Sequence, residues 1–337
     1  MKNKNPPVSA IAALILSLLA YAFVPLLVRW CEVEIRPEAT MFNRYWIATV
    51  ILLCGQKLGH IHENLSKPTQ SDIILADQEP EISAVSFPNV PNINYKILLL
   101  LMITTIASTS AAVLWGLSLT QTSIANSAVM HNLTPLFTTL AGWLFFKSQF
   151  SVRFILGTVI AVGGTIILAI NDFQLDILKI QGDILAILSA VLWAINLLTT
   201  EKLRNRFSSD FIVLSVCIVG MLLTMLLTLA LGEPLFPSSL QGWLTALALA
   251  IVGQIFGLGL LTYSLNYLSS GLVALVFLLD PVLTAIAAWV TFKEALSTWN
   301  AIAFGIILLG IYLGVSAAQI SSNRHNIQSD NQPDQNR

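Results

Sequence analysis

Residues 135–151 read PLFTTLAGWLFFKSQFS and residues 281–297 read PVLTAIAAWVTFKEALS, and the comparison of these two stretches decides the fold. Set 146 positions apart, Pro135, Thr138, Ala141, Trp143, Phe146, Lys147 and Ser151 meet Pro281, Thr284, Ala287, Trp289, Phe292, Lys293 and Ser297, which is 7 identities in 17 positions without a gap. Shared apolar composition would give about two, so the chain carries an internal duplication. A second match, at an offset of 172, sets Ile15, Leu16, Ser17 and Ala22 against Ile187, Leu188, Ser189 and Ala194. The change of offset, 26 residues, places an insertion in the first half.

Both copies lie in apolar sequence. The chain has 337 residues, of which 55% are hydrophobic and only 10% charged, where a soluble domain carries about a quarter charged residues and needs them to cover its surface. A helix crossing a hydrocarbon core of about 30 Å needs about 20 apolar residues, because backbone groups left unpaired in lipid are costly. Ten such spans are expected, near 8–28, 40–57, 97–119, 124–146, 154–171, 183–203, 211–231, 242–264, 271–292 and 299–317. The second is the weakest, since its clean apolar run covers only Tyr45 to Gly55; a nine-span reading would drop it. Residues 58–95 and the tail from 319 to 337 are polar and aperiodic, and are expected to be disordered. The first span is too long for a signal-peptide core and is read as a retained helix.

Orientation follows from the basic residues, which cytoplasmic loops retain. With ten spans and an inside N-terminus, 12 Lys and Arg fall inside, and only Arg29, Arg36, Lys179 and Lys293 fall outside. Both termini and the 58–95 segment are therefore expected in the cytoplasm, and a bacterial plasma (inner) membrane is the simplest placement. Each half holds five spans, an odd number, so the second copy enters the bilayer from the opposite side. The expectation is an all-α polytopic membrane protein with two inverted five-helix repeats, residues 1–172 and 173–318, the architecture of secondary transporters whose site lies between the halves.

Other function classes are poorly served. A net charge of −1 without a basic stripe excludes the electrostatic footprint of nucleic-acid binding. Cys31, Cys54 and Cys217 have no C-x-x-C spacing, and the cluster His60, His62 and Glu63 stands alone in a polar segment, so neither a metal nor a cofactor is expected. A membrane-embedded enzyme would show an HExxH pair or a Ser nucleophile in a Gly-rich turn, and a receptor would show a large exposed domain. The partners expected are a small-molecule substrate, the lipid bilayer and, in a homodimer, a second copy of the chain.

The runs Gly182-Asp183-Ile184, Ser189-Ala190-Val191-Leu192-Trp193-Ala194, Asp280-Pro281-Val282 and Phe292-Lys293-Glu294-Ala295-Leu296-Ser297 resemble the second repeat of the EamA family in the drug/metabolite transporter superfamily. The resemblance covers nearly all of residues 8–317. It departs from the family at Ser148, where the first repeat usually carries Glu, and in the long 58–95 segment. It implies a ten-helix permease or exporter for a small metabolite, such as an amino acid or a related amphipathic compound.

Polar groups inside the spans mark the candidate site, because a charge at bilayer depth costs about 2.5–3.5 kcal/mol on insertion scales. Asp280 precedes Pro281 and either faces a cavity or repairs the helix that proline loosens. His131, one turn before Pro135 and beside Asn132, either binds substrate or couples protons, or else packs through a hydrogen bond. Arg44 either contacts substrate or snorkels to the outer surface. Trp115, Trp193, Gln254 and Tyr263 are candidate pocket residues, with packing as the alternative for the aromatics; Pro135 and Pro281 are candidate hinges. Gly253 and Gly257 are read as close helix packing.

Overall fold

The computed structural model describes residues 6–66, 94–122, 124–146, 150–169, 180–283, 286 and 298–330, and among them every regular element is helical. In chain order these are α1 (Val8–Cys31), α2 (Pro37–Ser66), α3 (Tyr95–Gln121), α4 (Ile124–His131), α5 (Thr134–Phe146), α6 (Val152–Ala169), α7 (Ile180–Leu203) and α8 (Ser209–Ala230). Then come α9 (Leu240–Ala248), a π-helical segment (Leu249–Leu258), α10 (Gly259–Ser264), α11 (Ser270–Val276), a 3-10 turn (Phe277–Leu279) and α12 (Thr298–Asp330). Helix α2 thus continues past the expected boundary at residue 57, and α12 continues past 318.

Six described helices are long and apolar enough to cross a bilayer: Val8–Cys31, Tyr95–Gln121, Ile180–Leu203, Ser209–Ala230, Leu240–Ser264 and Trp299–Ser316. Four expected spans are not among them; the fifth, as α6, is apolar over Val152–Ile167, the length of side chains described there. The second includes Arg44 and polar residues at both ends. The fourth is interrupted between α4 and α5, and the ninth passes through the 3-10 turn before leaving the described residues at Leu283.

The two interruptions are equivalent. Pro135 has no N–H to donate to the carbonyl of His131, and the Thr134 hydroxyl takes that place at 2.7 Å. At Pro281 the carbonyl set free is that of Phe277, and the backbone N–H of Asp280 takes it in a tighter 3-10 turn. The breaks lie 146 residues apart, the offset of the duplication.

Four interfaces dominate the packing: α6 with α12, α3 with α7, α2 with α8, and α1 with the π segment and α10. Exchanging the halves of the chain maps this set onto itself: α6 with α12 and α2 with α8 each return to themselves, while α3 with α7 becomes the eighth span with α1. Along the α6–α12 seam the backbones touch: a Cβ on Gly157 would lie 2.5 Å from the Gly310 carbonyl oxygen and 2.6 Å from the Gly314 nitrogen. Only glycine permits that approach, which replaces side-chain burial as the source of cohesion in lipid. The outward faces are aliphatic and aromatic, as in Ile11, Ile15, Leu16, Leu19 and Phe23 of α1, whereas Ala10, Ala13, Leu14, Ser17 and Leu18 of the same helix are buried.

Candidate functional site

A cavity of about 100 Å³ lies at the centre, between the α1–eighth-span pair and the α3–α7 pair. Its lining includes Arg44, Trp115, His131, Asn132, Trp193, Gln254, Asp280 and the candidate hinge Pro135, all expected from the sequence. Tyr263 is not among the lining residues; its hydroxyl meets Ser9 at 3.3 Å and its ring tilts against Tyr267, near the other end of α1. Pro281 shapes the backbone beneath Asp280 without lining the cavity.

Arg44 is 5% exposed. A buried guanidinium needs its donors satisfied, and here Nε donates to Gln254 Oε1 at 2.9 Å and Nη2 to the Gly253 carbonyl at 3.0 Å. The Gln254 amide in turn lies 3.4 Å from Cys217 Sγ. The wider i to i+5 pattern of the π segment leaves carbonyls open to side chains; Ser17 Oγ takes another, that of Gly257, at 2.7 Å. Gly253 and Gly257 do pack closely, and what they admit is the Arg44 guanidinium and the Tyr21 ring. Arg44 therefore does not reach the surface, and among the described residues no carboxylate lies within ion-pair distance of it.

Asp280 lies in the same cavity with one carboxyl oxygen buried and unpartnered. Its backbone already closes the turn that Pro281 opens, so the side chain is not needed for that repair. The Tyr21 hydroxyl is also buried at the cavity wall, close to the Arg44 guanidinium. His131 Nδ1 lies 3.2 Å from Ser189 Oγ, which donates its single proton to the Ala111 carbonyl at 2.8 Å. Nδ1 is then the donor and neutral His131 keeps Nε2 as a free acceptor, an assignment made from the hydrogen-bond network. Aromatic rings complete the wall: Tyr21 is 6.1 Å from Trp193 and 5.5 Å from Phe277, both edge to face, and Trp115 is 6.1 Å from His131.

Tyr21, Tyr45, Ser108, Thr134 and Phe277 were not singled out by sequence reasoning, yet the duplication points to most of them. Seven pairs of lining residues are related by the two offsets: Tyr21 with Trp193 and Pro25 with Leu197 at 172, and Ser108 with Gln254, Ala112 with Leu258, His131 with Phe277, Asn132 with Leu278 and Thr134 with Asp280 at 146. The cavity is thus built from corresponding positions of the two halves. The residues His60, His62, Glu63, Ser148, Lys293 and Glu294 lie outside the described side chains.

Comparison with known proteins agrees with this geometry. A solved crystal structure superposes with a TM-score of 0.69 at 16% identity, covering 93% of this chain and 99% of that one, which shows a shared fold. An uncharacterized transporter of Methanothermobacter thermautotrophicus (strain ATCC 29096 / DSM 1053 / JCM 10044 / NBRC 100330 / Delta H) is 25% identical over 223 residues, a match spanning 64% of this chain and 64% of that protein. The EamA-like transporter family matches twice, over residues 8–170 and 180–316. With apolar helices in both matched segments and a cavity between them that carries buried polar side chains, the chain is an integral membrane protein belonging to the EamA-like transporter family.

Proposed function

We propose that the protein is a secondary transporter of ten helices in two inverted five-helix halves, and that it carries a small amphipathic zwitterion of the amino-acid type by alternating access. The observation that carries the substrate class is the unpaired state of the two charged side chains in one cavity: a guanidinium with no carboxylate partner and a carboxyl oxygen with no donor. A substrate bearing a carboxylate and an ammonium supplies both missing partners, and the ring edges of Tyr21, Trp115, Trp193 and Phe277 suit an apolar body. The interfaces that map onto themselves when the halves exchange, and the equivalent breaks before Pro135 and Pro281, support a rocking motion in which the halves trade roles. The basic asymmetry supports cytoplasmic termini.

The test is uptake into proteoliposomes of a panel of amino acids alongside their methyl esters and N-acetyl derivatives. Each blocked analogue lacks one charge, and both should fail to compete with the parent compound. Competition by either analogue as strong as that of the parent compound would reject the zwitterion reading. Cross-links placed at the two ends of the Pro135 and Pro281 helices should each stop turnover in a different access state; unchanged flux under both would reject the rocking motion.

A further inference from the structure

The α1–eighth-span pair and the α3–α7 pair meet on both sides of the cavity, at positions that the duplication relates. On one side Glu32, just beyond α1, lies over Gly116 of α3: a Cβ on Gly116 would be 3.5 Å from Glu32 Oε1 and 3.2 Å from Pro37 Cβ. On the other side Arg204, just beyond α7, donates Nε to the Thr262 carbonyl of α10 at 3.0 Å, and Nη1 to the Phe207 carbonyl. Arg204 is Glu32 shifted by 172, and Thr262 is Gly116 shifted by 146, so one contact is the image of the other. The chemistry has diverged. Arg204 binds the open carbonyl of a helix that ends at Ser264 and keeps its charge at any ordinary pH. Glu32 Oε1 is buried with no hydrogen-bond partner.

We propose that Glu32 and Arg204 are the outer and inner gate residues of this cavity, and that the outer gate is worked by external protons: protonated Glu32 holds the mouth shut and ionised Glu32 releases it. The inference rests on the proposed cytoplasmic termini for which gate is the outer one and on the alternating-access reading for its inner partner; the proton dependence itself rests on the burial of Glu32. The groups that face Glu32 fix the sign. Glu38, 3% exposed on α2, opposes its ionisation; Arg29 on α1 favours it; Glu34 and Arg36 of the connecting segment are engaged with Ser239 and with Glu38 and Glu233. Burial first, then the charge of Glu38, pushes the Glu32 carboxyl up to about 8 in the closed arrangement. Freed into water it returns to about 4.3, the value of an unperturbed glutamate. Closing therefore takes up a proton between those two values: the shut mouth is favoured in acid and is lost progressively as external pH rises towards 8.

Cys31, adjacent to Glu32 and buried, reports the mouth without any engineered reporter. Full-length protein in liposomes is treated with a membrane-impermeant maleimide over a range of external pH, and labelling of the Cys31 peptide is quantified by mass spectrometry. Dividing by the rate for Glu32→Gln at each pH removes the thiol's ionisation except for the part due to the Glu32 charge, which disfavours the adjacent thiolate and so works against the expected climb. The ratio should climb by at most about tenfold per pH unit below 8 and flatten above it, and Glu32→Asp should retain the climb. A ratio independent of pH overturns the proposal, whether or not the protein transports. Arg204→Gln separates the two readings: it should lower Cys31 labelling at every pH if the gates alternate. If it leaves labelling unchanged while the pH climb persists, the proton-worked outer gate stands and the alternation fails.

Discussion

Replacement of Asp280 by Asn isolates the part of the site that packing explains least. The substitution conserves shape and leaves the turn intact, because the Phe277 carbonyl is bonded by the residue 280 backbone N–H and not by the carboxyl. Folding and insertion should therefore match the wild type. What is lost is the ability to accept from a substrate ammonium as an anion. A hydrogen bond to a charged group contributes about 1.5–3 kcal/mol, and at 1.4 kcal/mol per tenfold this raises the half-saturation concentration by about 10- to 150-fold. Initial uptake rates over a range of substrate concentrations, normalised to inserted protein, measure the effect. An N-acetyl analogue supplies the internal check, since its weak competition should not change between wild type and variant. A half-saturation value within about twofold of the wild type would refute the argument and leave His131, with its free Nε2, as the titratable group to pursue.

Three further outcomes follow from neighbouring geometry. Arg44→Lys loses the planar fork that reaches Gln254 Oε1 and the Gly253 carbonyl while still facing the cavity, so half-saturation should rise by about tenfold or more; uptake kinetics check it. Gly157→Leu forces a side chain into the Gly310 and Gly314 backbone and should destabilise by about 1–3 kcal/mol or more. Gly163→Leu on the same helix, where an added Cβ meets nothing within 4 Å, should not; thermal unfolding in detergent distinguishes them. Glu34 accepts the Ser238 and Ser239 backbone N–H groups at 3.2 and 3.1 Å, and hydrogen bonds from Ser239 hold its carboxyl below the usual range. That strap is in place above the unperturbed glutamate value and loosens as external pH falls through the depressed one. Glu34→Gln should therefore speed hydrogen exchange of the two amides at neutral pH, and the wild type should show the same loosening only in acid.

Much of this was legible in the chain because membrane helices impose few alternatives. The long apolar runs located most helices, though α2 and α12 run about nine and thirteen residues beyond their expected ends, and the 146 offset paired the two prolines at which helices break, since each removes the same hydrogen bond in its copy. Arg44 and Asp280 stood out because charge in lipid demands a reason. Other features had no local signal. The π segment of Leu249–Leu258 is a register change of backbone hydrogen bonds in a sequence as apolar as its flanks, so nothing in LAIVGQIFGL marks it. Arg44 read equally as an outer anchor, because only the tertiary structure places the Gly253 carbonyl within its reach. Tyr263 looked like a pocket aromatic by residue type, but two turns of helix separate it from Gln254 and carry it to the end of the span. Tyr21 is one more aromatic in an apolar run, and its signal lies in its counterpart: carried across the duplication, Trp193 points to Tyr21 and Gln254 to Ser108.

The paired lining has a consequence for energetics across the membrane. Where one copy offers His131, Asn132 and Thr134, the other offers Phe277, Leu278 and Asp280 at the same three positions. In the alternating-access cycle proposed above, identical copies would make the inward-facing and outward-facing forms two-fold exchanges of equal free energy, and the carrier would rest equally on both sides. Unlike walls remove that degeneracy. They cannot drive a solute against its gradient, but they set on which face the empty carrier waits and give it a different half-saturation on each side. Under that cycle, sequence divergence at three matched positions would give the carrier a preferred loading face.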